Sequence, residues 1–291
     1  MKANELLYAE TVRIGMLRTI ILLVSVFCAT TGLANPHWRF EDRFSNSEKE
    51  RLQIWVLRAD QGMQSLFGEL PYRYSVHFHR STRGKGPTPW AHTDKRRGRA
   101  VHFHVNTSYS SKVFEKDWTV SHELSHLMFP YIGRQGKWFA EGLASYLQYQ
   151  IMFSADSVTW KQATNKLEER FRAARNTRDY KNLSIVDLSL VASHKGPFVR
   201  LYWGGAAYFM NADKALYELT GQRLTGVIAM YLQCCVYNDI QSAEEMISLF
   251  DNVSNTKVFS RVYKQTVNRK EFPETDRALK WLKLNPPELL Q

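Results

Sequence analysis

The sequence predicts an α+β fold: a small amino-terminal lobe built on a mixed sheet, a histidine-bearing helix, and a mainly helical carboxy-terminal lobe. Three observations predict it. Two short segments with period-two apolar alternation, Tyr72–His79 and Arg99–Val105, read as strands. Asn46–Gly68 repeats apolar residues at helical spacing, Leu52, Val56, Met63 and Leu66, with charges between them. Beyond residue 117 the chain is almost wholly of helical pattern, without internal repeats or a low-complexity linker.

The amino terminus comes first. Arg13 and Arg18 precede the apolar run Thr19–Ala29, and Gly32-Leu-Ala34 supplies the small residues a signal peptidase reads, so residues 1–34 are expected to be a signal peptide cleaved after Ala34. The run is too short for a stable membrane span. The protein is therefore expected to be secreted or periplasmic. The remainder divides into an amino-terminal α/β lobe over 35–116 and a helical lobe over 117–291, expected to pack as one catalytic unit.

The chain carries a formal charge of +11, of which +10 remains without the first 34 residues. Much of it lies in the Gly- and Pro-containing run Arg80–Arg99, where seven Lys or Arg accompany one Asp. This run reads as a loop joining the two strands into a hairpin, with an anionic cell-envelope surface as a possible partner. Export argues against a nucleic-acid partner. The strands carry histidines two apart, hence on one face: His77 with His79, and His102 with His104. A polar strand face, a second metal site and an edge lining a peptide groove are all open to them; His102 and His104 are the candidate groove residues. Only Cys234 and Cys235 lie outside the signal segment, and adjacent cysteines are expected to stay as two thiols rather than pair.

The chemistry concentrates in Thr119–Phe129, which contains His-Glu-Leu-Ser-His. On a helix, His122 and His126 face the same way and can grip one metal ion, while Glu123 lies about 100° further round, within reach of a metal-bound water but not of the same coordination position. A catalytic zinc needs a third protein ligand and one open position. Glu141, in the helical run Lys137–Gln148, is the best candidate, with Pro130, Gly133 and Gly136 breaking the chain before it. Ala140, Gly142 and Ala144 are expected to bring this helix close to the histidine helix. Further on, Tyr202 precedes the small residues Gly204–Ala207, and a phenol beside such a site can steady an oxyanion. Other helices are expected at 157–174, 200–219, 224–233, 240–250 and 274–282.

Together, H-E-L-S-H, W-F-A-E-G-L-A-S-Y and Y-W-G-G-A resemble the catalytic domain of gluzincin metallopeptidases of the peptidase MA-like group, relatives of glycyl aminopeptidase, over roughly Trp118–Leu216. The resemblance implies a zincin-like fold and a Zn2+ cofactor on His122, His126 and Glu141. It further implies Glu123 as general base, Tyr202 as oxyanion donor, and a peptide or protein substrate, held in that group along an edge strand. Two features depart from the group: only fourteen residues separate His126 from Glu141, a shorter spacer than in better known members, and no G-x-M-E-N-type segment is present. The expectation is a secreted zinc-dependent metallopeptidase. The alternatives are a secreted basic binding protein with a non-catalytic zinc site and a non-peptidase zinc amide hydrolase.

Overall fold

A computed structural model describes residues 36–95, 98–178, 180–192 and 198–290, so the expected signal peptide and its cleavage site lie outside the described residues. Four strands, β1 (His37–Phe40), β2 (Ser75–Arg80), β3 (Trp90–Asp94) and β4 (Ala100–Val105), form one mixed sheet in the order β1-β2-β4-β3. Helix α1 (Asn46–Phe67) starts at a capping box in which Ser45 and Glu48 satisfy each other's backbone N–H groups. It connects the parallel strands β1 and β2, as parallel neighbours require a crossover.

The expected hairpin is not formed by the two strands that the alternation marks. β2 and β4 run parallel, with His77 opposite His102 and His79 opposite His104. The hairpin is β3–β4, because β3 lies inside the basic run and pairs antiparallel with β4. That run is therefore not a free loop. Arg80 bonds Glu48 at 2.6 Å, the Arg43 carbonyl and Thr107, while Arg99 stacks on Tyr72 and donates to the Leu127 carbonyl. Lys95 donates to the carbonyl of Phe129. Three of the cations counted toward an anionic surface are thus engaged within the fold.

Strand alternation sorts the two faces of the sheet. Val76, Phe78, Val101, Phe103 and Val105 are buried toward α1, where Trp55 meets Phe103 edge-on at 5.1 Å. The opposite face carries His77, His79, His102 and His104, joined by His92 and Trp90 of β3.

The short helix α2 (Ser111–Glu115) leads to α3 (Thr119–Leu127), the histidine helix, whose first turn is capped by Asp117 accepting from Thr119 N at 2.7 Å. Then follow α4 (Lys137–Ser154), α5 (Trp160–Asn176), α6 (Ile185–Val191), α7 (Phe198–Thr220), α8 (Leu224–Cys234), α9 (Ala243–Val253), α10 (Val258–Thr266) and α11 (Asp276–Leu284). Helix α4 is buried around almost its whole circumference and runs through the middle of this lobe. One hydrophobic cluster extends from the sheet through α4 and α7 to α11. No helix among the described residues is long and apolar enough to cross a membrane.

Cys234 and Cys235 are joined by a disulfide, contrary to the expectation of two thiols. Helix α8 ends between them, and Cys235 leaves the helical backbone, which relieves the divergence that consecutive helical side chains would have. The bond spans neighbours only, so it ties no distant segments together.

The polar tie of the helical lobe is Asp213 on α7, fully buried. It accepts from Tyr146 Oη of α4 at 2.6 Å, from the Arg223 guanidinium at 2.8–3.2 Å, and from Leu224 N, the start of α8, at 2.7 Å. Asp213→Ala leaves a buried Arg223 without its counter-charge, and is expected to cost about 3–5 kcal/mol in urea unfolding; a loss under about 1 kcal/mol would show that water replaces the carboxylate.

Candidate metal centre

The histidine helix and the two long helices α4 and α7 meet at one point, and the reason is a near contact between backbones. A Cβ on Gly142 of α4 would lie 2.5 Å from Gly205 Cα of α7, and a Cβ on Gly205 would lie 2.3 Å from the Trp138 carbonyl oxygen. Only glycine fits at either place. Gly142 thus serves the approach of α7, whereas the sequence suggested the histidine helix for it. Glu141 adjoins Gly142, and Tyr202 stands three residues before Gly205, nearly one turn away, so the crossing brings carboxylate and phenol together.

His122 and His126, one turn apart on α3, present their Nε2 atoms 3.3 Å from each other. The Oε2 of Glu141 lies 3.2 Å from the first and 3.5 Å from the second. Three ligands at about 2.0–2.1 Å from a tetrahedral zinc would be about 3.3 Å apart, so this triangle has the size the ion requires. Among the described residues it is the one group of three such donors gathered this closely. The shorter spacer between His126 and Glu141 therefore does not keep the carboxylate away.

Two supporting residues carry no signal in the motif. Gln148, buried on α4, accepts from His122 Nδ1 at 2.9 Å; an amide oxygen cannot donate, so a proton sits on Nδ1, and Nε2, which faces Glu141, is the nitrogen that would bind a metal on giving up any proton it shares with that carboxylate. Its position two turns beyond Glu141 on the same helix is the signal that points to it. Thr93 of β3 donates to Glu123 Oε2 at 3.0 Å and to its carbonyl oxygen at 3.2 Å, which fixes the carboxylate beside the triangle but outside it. Trp118 meets His122 edge-on at 5.4 Å.

Electrostatics follow from burial. Burial works to raise the Glu141 pKa, but His126 and His122 outweigh it and hold the carboxyl well below its usual range. Burial likewise opposes charge on His122, and its hydrogen bond to Glu141 outweighs that, raising its pKa. The Tyr202 phenol stacks on His122 at 6.0 Å on the side of Glu141; burial, then the charge on Glu141, pushes its pKa well up. Lys95, half-buried beside β3, is lowered to about 7 by desolvation first and Arg99 next, against the pull of Glu123 and Glu141.

His122, Glu123, His126, Glu141 and Tyr202 thus converge. His102 and His104 do not join them as edge residues, because β4 is paired on both sides and no added strand can reach it. The edge strand on this side is β3, hidden from the sequence reading inside the basic run.

No protein-family model and no curated protein matches the chain. Solved structures do. The M1 zinc metallopeptidase from Deinococcus radiodurans superposes with a TM-score of 0.51 at 11% identity, covering 81% of this chain and 48% of that one. A mutant of it bound to a Tyr-Ser-Ala substrate gives 0.53 at 10% identity, covering 81% and 49%. A two-domain M1 zinc metallopeptidase mutant bound to L-tryptophan gives 0.52 at 10%, covering 81% and 47%. The fold is similar to that of M1 zinc metallopeptidases. The chain spans about half the length of these proteins.

Gly205→Ala is expected to push α4 and α7 apart, lowering stability by about 1–3 kcal/mol and loosening zinc retention in dialysis. Unchanged stability and zinc content would show that the glycine contact does not set the site.

Proposed function

We propose that the protein is an exported zinc-dependent metallopeptidase that hydrolyses peptide bonds. The single observation carrying this reading is the triangle of His122 Nε2, His126 Nε2 and Glu141 Oε2 at 3.2–3.5 Å, with Glu123 held just outside it. The two imidazoles and one carboxylate would hold zinc, which supplies a bound water acidified to a pKa of about 7 and polarisation of a carbonyl oxygen.

The chain's own groups do the rest. Gln148 keeps the Nε2 lone pair of His122 directed at the ion. Glu123, oriented by Thr93, takes the proton of the attacking water and passes it to the departing amine. Tyr202, whose raised pKa keeps it a donor throughout the neutral range, gives its phenol hydrogen to the carbonyl oxygen as negative charge develops there. The outer strand β3, adjoining Glu123 through Thr93, receives the substrate backbone alongside it, which brings the substrate carbonyl over the triangle. The intact, oriented Glu123 favours catalysis over a purely binding role, since a binding module needs no base beside its metal.

The test is cleavage of a peptide library, read as new amino termini by mass spectrometry, beside amide and ester reporters. Wild type is expected to cut peptides. Glu123→Gln is expected to keep zinc but lose about 10²–10⁴-fold in rate, and Tyr202→Phe to lose about 10²–10³-fold. Hydrolysis of the reporters without any peptide product would favour a non-peptidase hydrolase, and full activity in Glu123→Gln would remove the mechanism.

A further inference from the structure

The outer face of the sheet, away from α1, carries five imidazoles that the metal centre does not use. Register sets them in rows: His77, His102 and His92 lie abreast on β2, β4 and β3, and His79 and His104 lie abreast in the next row, which Trp90 completes. Ring centroids are 4.3 Å apart for His77 and His102, 4.7 Å for His92 and His102, and 4.5 Å for His79 and His104. So dense a set of bases is tolerable only while mostly uncharged. Burial first, then the neighbouring rings, holds His79, His102 and His104 below the usual imidazole range, His102 down to about 4.

Two features of this face have the form of ligand positions. His79 Nε2 and His102 Nδ1 are 3.1 Å apart, close to the 3.3 Å between His122 and His126 Nε2 atoms in the catalytic triangle. His92 Nδ1, beside them, is buried and has no hydrogen-bond partner among the described residues. His77, held aside by donating from Nδ1 to Glu41 Oε1 at 2.7 Å, stacks on His102 and is not one of these positions.

We propose that this face is a second metal site, taking a borderline transition ion such as Zn2+ or Cu2+ on His79, His102 and His92. The first two nitrogens already stand at a shared-ion spacing, and the third ligand arrives when the His92 ring turns from its stack on His102. An all-imidazole set selects Zn2+, Cu2+ or Ni2+ over Mg2+ and Ca2+, which prefer oxygen. The ion would clasp β2, β4 and β3 together, and β3 is the strand whose Thr93 holds Glu123. The site is counted separately from the catalytic one and does not depend on the peptidase reading.

The test is calorimetric titration of the full chain, stripped of metal, with ZnCl2 and with CuCl2. Wild type is expected to take two equivalents, and Glu141→Gln to keep the second unchanged. His79→Gln/His102→Gln is expected to weaken or lose the second equivalent by at least tenfold while retaining the first. The Cu2+ signal of the second equivalent is expected to show three nitrogen couplings in electron paramagnetic resonance. Should the double variant fail to fold, His92→Gln alone, on the edge strand, carries the same tenfold expectation. Wild-type binding, of one equivalent or two, that neither folded histidine variant diminishes would overturn the proposal.

Discussion

The candidate centre depends on how closely two helices approach. At Gly142 and Gly205, α4 and α7 touch backbone to backbone, and any side chain at either position would occupy space already filled by main-chain atoms. This contact gives up side-chain burial at its centre and gains registry. Glu141 and Tyr202 are each a fixed step along their own helix from the contact, so closing it sets both against His122. Asp213, further along α7, locks the same pair of helices through Tyr146 of α4 and carries the tie on to α8.

A buried carboxylate is costly unless positive charge or hydrogen bonding answers it. Here two carboxylates, Glu123 and Glu141, share one partly enclosed spot, and the nearby ammonium of Lys95 is turned to the Phe129 carbonyl. The hydrogen bond of Thr93 and the two imidazoles meet part of that cost. A divalent cation at the centre of the triangle would meet the rest, with the Nδ1 proton of His122 held by Gln148 and its Nε2 turned inward.

Much of this was legible in the sequence, and what was not has physical reasons. Spacing of four places His122 and His126 on one helical face whatever the tertiary fold, and the long amphipathic helices α1, α5 and α7 declare themselves within a residue or a few of their observed bounds. The neighbours of the site were harder. Trp90–Asp94 has neither β-branched density nor clean alternation and sits among Gly, Pro and basic residues, so a strand there depends on pairing with β4 rather than on its own composition. Alternation marks β2 and β4 as strands but is silent on direction, which is how a parallel pair was expected as a hairpin. Helix α10 was not expected at all, although its apolar residues Val258, Phe259 and Val262 are buried, because nine residues offer too few turns to establish a period. Gln148 is linked to His122 only through the folded contact of α3 with α4, and the pairing of Cys234 with Cys235 needed the helix to end between them.

The most direct test of the centre is a crystal structure of the protein grown with zinc, with anomalous diffraction recorded on both sides of the zinc edge. The account predicts a peak about 2.0–2.2 Å from His122 Nε2, His126 Nε2 and a carboxylate oxygen of Glu141, with Glu123 outside that shell. Zinc bound without Glu141, or no zinc between the two histidines, would contradict it.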